Sequence, residues 1–340
     1  MNAVEVTSSI AGMSLFVSGR IKLCFALVIL ADRSKGLRDV RRLKGVEQTH
    51  LGSWGALGPI VSALPASQFS SRAVLGDPNT DLFCQHPVGF ENEATGPILR
   101  ERSISASFLG LILNPVTAYQ LLYRTTAING SAIATLTTIF KPLIAKTDRF
   151  ISFQMAYDSS AVKCDPMEML VVEAYLVLGY IVSSPEYEGP DAAFGAGRLK
   201  GMGTLDSIRA VSKYYERLVL DSYNPMAVGV KYSGGALATG WAASLQPSYA
   251  PEINIKGWVQ GGTSANLTGT VLFIDNTAFS EFFLTAMAGL TKPSAYGAEL
   301  TDFINSILTP EGREKANFAA ENCAVKDLLS FHEISLFSTD

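Results

Sequence analysis

The chain has 340 residues, enough for one large α/β domain or for a domain with a cap, so core size sets no limit on the fold. Its charge is mildly acidic, with 27 Lys and Arg against 31 Asp and Glu, and no basic stripe with interleaved aromatic residues indicates nucleic-acid binding. Apolar residues make up 48% and charged residues only 17%. This balance favours a large core, and an apolar substrate groove is the alternative.

The N-terminal region has the pattern of a leader followed by a linker. Residues 23–31 (LCFALVILA) form an apolar run behind Arg20 and Lys22, which is typical of a signal-peptide core and too short to span a bilayer. Charged residues follow at once where small cleavage-site residues are expected, so a poorly packed extension is the alternative. Residues 32–75 show little periodicity and indicate a linker. We therefore predict an N-terminal extension over 1–75.

From about residue 76, β-rich apolar runs alternate with helical stretches. The pattern predicts strands at 118–124, 133–140, 150–157, 178–184, 226–230 and 254–260. The early runs lie close together and suit antiparallel hairpins, whereas helices separate the later runs, which suit a parallel sheet. A one-sided apolar pattern predicts a helix over 204–219. The fold class expected from this mixture is α/β.

Two further segments carry weaker patterns. Residues 195–203 (GAGRLKGMG) fit neither the dinucleotide-binding glycine pattern nor the P-loop, so we expect these glycines to allow close packing before the 204–219 helix. Residues 271–290 are apolar nearly throughout and predict a buried helix. Neither segment indicates a cofactor, and we expect none.

Residues 226–245 (MAVGVKYSGGALATGWAASL) have the order of a strand, a sharp turn and a helix. This is the arrangement of a nucleophile elbow with Ser233 at its tip, which requires small residues on both sides of the serine. Gly235 meets the downstream requirement, but Lys231 occupies the upstream glycine position of G-x-S-x-G. Spacing alone leaves the elbow and an ordinary strand–turn–helix both open.

Five stretches carry a resemblance to a known family. They are GFENEATGPILRER (89–102), YQLLYRTTAING (119–130), FQMAYDSSAVKCDP (153–166), GYIVSSPEYEGPDAAFGAGRLKGMGTLDSIRAV (179–211) and YSGGALATGWAASLQPSYAPEINIKGWVQGGTSANLTGT (232–270). From Asp81 onward the sequence resembles the fungal secretory lipases, which are α/β-hydrolases of the lipase-A type. The resemblance implies an α/β-hydrolase core over 76–262 and a mostly helical cap over 263–340.

The resemblance also implies an activity and a set of site residues. It implies secretion and hydrolysis of carboxylic esters, with triacylglycerol as the usual substrate class and a lipid–water interface as one setting for the reaction. Ser233 is the implied nucleophile, Gly234 supplies one oxyanion N–H, and Asp158 is the second oxyanion residue. From the residues alone, Asp158 is better explained as a turn or cap residue after a strand. An esterase for acylated secondary metabolites is a variant of the same function.

The acid and the base of the triad are not identifiable in the sequence. After Ser233 there is one histidine, His332, and its context (LLSFHEISLF) does not resemble the family's Gly-His segment. His50 and His86 precede the elbow and match nothing catalytic. Without a base, a serine hydroxyl is a weak nucleophile. A catalytically impaired relative, incomplete in the C-terminal part of the fold and poor at ester hydrolysis, is therefore the alternative to an active lipase.

The four cysteines and two sequons bear on secretion. The resemblance pairs Cys164 with Cys323, a disulfide that would tie the core to the cap and suit an exported protein. The sequons at Asn129 and Asn266 permit glycosylation after export. No spacing of cysteine or histidine indicates a metal site, and no segment predicts a stable membrane span.

Overall fold

The computed structural model describes residues 80–104, 116–162, 169–277, 279–330 and Ser335, all within one compact unit. The predicted signal region and linker lie outside these residues, as does His332.

The described residues form one mixed sheet of seven strands in the spatial order β1-β2-β3-β5-β4-β6-β7. Strands β1 to β3 pair antiparallel, β3 pairs antiparallel with β5, and β5, β4, β6 and β7 are mutually parallel. The α/β class is therefore confirmed. The strands are β1 (Ile98–Ile104), β2 (Val116–Thr126), β3 (Ala132–Pro142), β4 (Arg149–Phe153), β5 (Ile181–Pro185), β6 (Met226–Tyr232) and β7 (Ile255–Gly261).

The strand predictions differ from the structure at three places, the first of which is β5, where the strand begins at Ile181 and not at residue 178. Strand β1 was not predicted, because it lies at the sheet edge and its residues are exposed or half-buried, without a clear apolar alternation. The predicted strand 150–157 ends at Phe153. Beyond it the chain leaves the sheet, and the buried side-chain amide of Gln154 hydrogen-bonds to the hydroxyls of Ser152 and Thr239.

The described part of the chain forms nine α-helices, of which four precede β7 and five follow it. They are α1 (Met169–Val177), α2 (Gly197–Lys213), α3 (Tyr215–Leu218), α4 (Ala236–Tyr249), α5 (Leu267–Ile274), α6 (Glu281–Leu290), α7 (Gly297–Ile307), α8 (Pro310–Glu321) and α9 (Ala324–Ser330). Helices α6, α7 and α8 share a small apolar core formed by Leu284, Met287, Ile304 and Ala319.

Helix α2 begins at Gly197, seven residues earlier than predicted, so most of the glycine-rich stretch lies inside the helix and not before it. Its glycines do serve close packing, as expected. A side chain at Gly197 would overlap the indole of Trp241 on α4, and one at Gly201 would lie 2.8 Å from the Trp241 carbonyl carbon. Tertiary packing against α4 thus overrides the low helix propensity of glycine. Helix α4 is thereby packed closely against α2.

The single buried helix predicted over 271–290 is wrong. The chain forms α5 and α6 with a break between them, and α5 has no buried residue although most of its residues are apolar. Helix α6 buries Leu284, Thr285 and Met287, so the burial predicted for all of 271–290 occurs in this helix alone of the two.

A buried acid joins three elements of the core. The Asp206 carboxylate on α2 is fully buried and accepts hydrogen bonds from Thr125 on β2 (2.7 Å), Tyr249 on α4 (2.8 Å) and the Arg209 guanidinium (2.8 Å). Arg209 also bonds Glu252, whose side chain is 56% exposed. Buried and exposed partners of one arginine can therefore be compared directly.

We predict that Asp206→Ala lowers the free energy of unfolding by about 3–5 kcal/mol, since it leaves a half-buried arginine and two hydroxyls without their buried acceptor. The matched variant Glu252→Ala removes an exposed partner of the same arginine and is expected to cost about 1 kcal/mol or less. Urea unfolding of both variants measures the difference. Equal losses would contradict a structural role for the buried acid.

Candidate active site

The chain turns sharply between β6 and α4, and Ser233 lies at the turn. Tyr232 has extended backbone angles, Ser233 is in the left-handed region with φ of 63°, and residues 233–235 form a single 3-10 turn that continues into α4. Ser233 is exposed, whereas the flanking Lys231 and Gly235 are buried. A left-handed serine is uncommon, and such conformations persist only where the surroundings impose them. This is the strand–turn–helix geometry that presents a serine hydroxyl above a parallel sheet.

The turn is crowded by the end of β4. A side chain at Gly235 would overlap the carbonyl oxygen of Gln154, and one at Gly234 would overlap the Asp158 carboxylate. Strands β4 and β6 are adjacent and parallel, so their carboxyl ends meet at the same sheet edge. The structure thus brings together Ser233, Gly234 and Asp158, which lie 75 residues apart in sequence.

Lys231 is accommodated without opening the turn. It is 4% exposed, its Nζ lies 4.8 Å from the centre of the Phe153 ring, and its Cγ lies 2.6 Å from where a Gly235 Cβ would be. The aliphatic stem therefore fills the space at the first glycine position of the pattern, while the second glycine is sterically required. The pattern is broken in sequence but its geometry is retained.

The loop after β4 is fixed from several sides. Thr239 on α4 donates to Gln154 Oε1 (2.8 Å), and the Tyr187 hydroxyl donates to the Met155 carbonyl (2.5 Å). The ring of Tyr187 also packs edge-on against Tyr157. Asp158 has a left-handed φ of 49°. These contacts hold the loop in place before the chain reaches Asp158.

A buried ion pair lies behind this loop. Lys200 is fully buried, donates to Glu188 Oε1 (2.9 Å) and lies over the rings of Phe194 (4.4 Å) and Tyr187 (5.4 Å). Burial raises the pKa of Glu188, while Lys200 opposes the shift and the Asp158 charge adds to it. This pair could not be predicted from the sequence, because no local pattern joins residues 188 and 200 to the Asp158 loop.

Two buried acidic residues lie on α6 and α9. Glu281 and Asp327 are both fully buried, and within the described residues Glu281 Oε1 and both Asp327 oxygens make no hydrogen bond. Burial, with repulsion from Asp327 and Asp158, raises the pKa of Glu281 to about 8. Burial raises the pKa of Asp327 to about 6 against the opposing charge of Lys326. At neutral pH Glu281 is therefore mostly protonated.

The remaining predicted site residues lie elsewhere. His86 stacks on Phe90, which packs on β2 and β3, and β5 and β4 separate those strands from β6. His50 and His332 lie outside the described residues, so the structure does not test His332 as a base.

The cysteines and sequons have defined positions where they are described. Cys323 is disulfide-bonded and Cys84 is free. Cys164 lies outside the described residues, so the Cys164–Cys323 pairing stays a prediction. Asn129 lies in the exposed turn between β2 and β3, whereas the Asn266 side chain caps α5 by accepting from the Gly269 N–H (2.9 Å).

A metal site and a membrane-spanning helix are both absent from the described ranges. Those ranges contain no group of three or more His, Cys, Asp or Glu placed to hold a metal ion. Their helices include none of the length and apolarity needed to cross a bilayer.

Comparison with known proteins identifies the family. The family described as Secretory lipase matches residues 154–340, more than half of the chain. The secreted triacylglycerol lipase LIP1 of Malassezia furfur is 38% identical over 286 residues, covering 79% of this chain and 58% of that protein. The chain belongs to the secretory lipase family. It spans somewhat more than half the length of the curated lipase that it matches.

Solved structures agree with this family assignment. Candida antarctica lipase A in its closed state is 30% identical, with a TM-score of 0.69 over 77% of this chain and 64% of that one. The rice cell wall degrading esterase LipA from Xanthomonas oryzae, at 14% identity and a TM-score of 0.54, shares the fold. The predicted α/β-hydrolase fold is confirmed for this lipase-family chain, as is the resemblance to lipase A.

We predict that Gly235→Ala destabilises the lipase-family core by about 1–3 kcal/mol, since the new methyl group overlaps the Gln154 carbonyl and the stem of Lys231. Gly257→Ala in β7 is the matched control, because a Cβ there meets nothing within 4 Å. We expect Gly257→Ala to be neutral or slightly stabilising. Thermal unfolding measures both, and a tolerated Gly235→Ala would contradict the close approach of β4 and the turn.

We predict that stability falls as the pH rises from about 4.5 to 8. Glu281 and Asp327 have raised pKa values in the folded protein, so the folded state holds protons that the unfolded state releases over this range. Their contribution is complete below the unfolded pKa and is lost as the pH passes the folded pKa of about 8.

The check is urea unfolding at pH 5 and pH 8.5. Glu281→Gln should reduce the stability difference between the two pH values, whereas the exposed Glu299→Gln on α7 should leave it unchanged. An unaltered pH dependence in Glu281→Gln would show that other groups cause it.

Proposed function

We propose that the protein is a secreted carboxylic ester hydrolase of the triacylglycerol lipase type. The single observation that carries the proposal is the convergence of the left-handed Ser233, the closely packed Gly234 and Asp158 at one sheet edge. Ser233 is the nucleophile that attacks the ester carbonyl. The Gly234 N–H and Asp158 form the oxyanion hole.

The geometry supports these roles in physical terms. The elbow exposes the Ser233 hydroxyl while burying the residues that support it. A fixed donor next to the nucleophile stabilises the charge that develops on the carbonyl oxygen, and loss of one such donor typically costs about 10²–10³-fold in rate. The glycine at 234 lets the Asp158 loop approach this donor closely.

The acid and base that complete the mechanism are not assigned among the described residues. The general base must take the proton from Ser233 Oγ and deliver it to the leaving alcohol, after which water hydrolyses the acyl-enzyme. A catalytically impaired relative remains the second candidate, favoured by the absence of a catalytic histidine from the described residues near β6.

The substrate and location follow from the relatives. Several are named secreted triacylglycerol lipases, so we propose acylglycerol esters as the substrate class and export from the cell. The exposed apolar residues of α5, Leu267, Leu272 and Phe273, support contact with a lipid–water interface and a cap role for the helices after residue 263. Both sequon asparagines, Asn129 and Asn266, are exposed, which is compatible with a glycan at either position after export.

The test is hydrolysis of a short-chain p-nitrophenyl ester by the full chain. Ser233→Ala is expected to lower kcat by about 10³-fold or more, because it removes the nucleophile. Ser248→Ala removes an exposed hydroxyl that bonds the Leu245 carbonyl on the same helix, and it should leave kcat unchanged. Turnover by the unaltered chain no faster than by Ser233→Ala would favour the impaired relative.

A further inference from the structure

The carboxyl end of α8 contacts the Asp158 loop through two serine hydroxyls. The Ser159 hydroxyl donates to the carbonyl of Asn322 (2.9 Å), and the Ser160 hydroxyl donates to the carbonyl of Ala319 (3.4 Å). Carbonyls at the end of a helix have no donor within the helix and need an external one. The loop supplies these donors.

Both serines are buried, so their hydroxyls depend on these bonds. Ser159 is 1% exposed and Ser160 is fully buried. Ser159 also accepts a hydrogen bond from the Ala161 N–H (3.1 Å), which closes the loop on itself. An unsatisfied buried hydroxyl is unfavourable. The loop therefore has one favourable arrangement against α8.

Asp158 directly precedes this pair and has a left-handed backbone. A non-glycine residue in that region is held there by its surroundings. On one side the constraint is the glycine at 234, and on the other it is the pair of bonds to α8. Removing the second constraint loosens the chain that follows Asp158, and we expect Asp158 to shift from its position beside Gly234.

We propose that Ser159 and Ser160 are positioning residues for the ester hydrolysis proposed above, holding Asp158 beside Gly234 by anchoring its loop to the end of α8. The inference rests on the proposed role of Asp158. Because Ala319 also lies in the core shared by α6, α7 and α8, the anchor couples the oxyanion loop to the packing of the helical segment.

The activity test compares Ser159→Ala and Ser160→Ala with Ser306→Ala. Ser306 on α7 also donates to a helix carbonyl, that of Phe303, but it is exposed. The two loop variants should lower kcat by about 10- to 100-fold with KM within about twofold, since misplaced catalytic groups cost rate rather than binding. Ser306→Ala should match the unaltered protein. Unchanged kcat in both loop variants would overturn the inference.

A second measurement is independent of turnover. Amide hydrogen exchange over 154–162 should be faster in Ser159→Ala and Ser160→Ala, while exchange in α2 and α4 stays unchanged and shows that each variant is folded. If Ser159→Ala does not fold, Ser160→Ala carries the test, because it removes only the longer bond. Unchanged exchange over 154–162 would overturn the anchor.

The outcomes separate the two proposals. If the unaltered chain shows no turnover that depends on Ser233, the proposed function fails, and the positioning role fails with it even where exchange supports the anchor. If Ser233-dependent turnover is present but kcat does not respond to the loop variants, only the positioning role fails. Faster exchange with unchanged kcat assigns the serines a purely structural role.

Discussion

The structure depends on one steric constraint, the close approach of β4 and the turn after β6. Neither Gly234 nor Gly235 has room for a Cβ, because the Asp158 carboxylate and the Gln154 carbonyl occupy that space. Adjacent parallel strands bring the two loops to one edge of the sheet, and the missing side chains let them touch. The approach of α4 to α2 over Gly197 and Gly201 extends the same close packing to the next layer. The left-handed Ser233 is a consequence of this crowding.

Features with local patterns were predictable from the sequence. Five of the predicted strands overlap observed ones closely, because runs such as 226–230 are β-branched and buried. The turn at Ser233 was expected from the order of strand, small residues and helix. Its occurrence beside Asp158 was expected only from the family resemblance, since spacing favoured a simple turn at Asp158. Lys231 shows why the motif alone was ambiguous: its stem fits where the pattern has glycine.

Features that depend on distant residues were not predictable. Edge strand β1 has no burial pattern, and the start of α2 at Gly197 depends on the indole of Trp241. The break between α5 and α6 falls at the polar residues Asp275, Asn276 and Thr277 and was therefore marked locally, whereas the exposure of α5 was not, because apolar sequence does not distinguish an exposed helix from a buried one. The bonds from Ser159 and Ser160 to α8 join residues about 160 positions apart. No local propensity encodes such contacts.

The acidic groups around Asp158 raise a question of charge, because an oxyanion forming nearby would be repelled by carboxylates. If both were ionised, Glu188 and Glu281 would add two negative charges to the surroundings of Asp158. In the fold, Glu188 is paired with the buried Lys200, and burial raises the pKa of Glu281 to about 8. Both groups are therefore neutralised near pH 7, one by its partner and one by its proton. The pairing with Lys200 and the protonation of Glu281 thus remove two of the negative charges around the proposed oxyanion hole, and the Asp158 carboxylate beside Gly234 is the acid that a developing oxyanion meets.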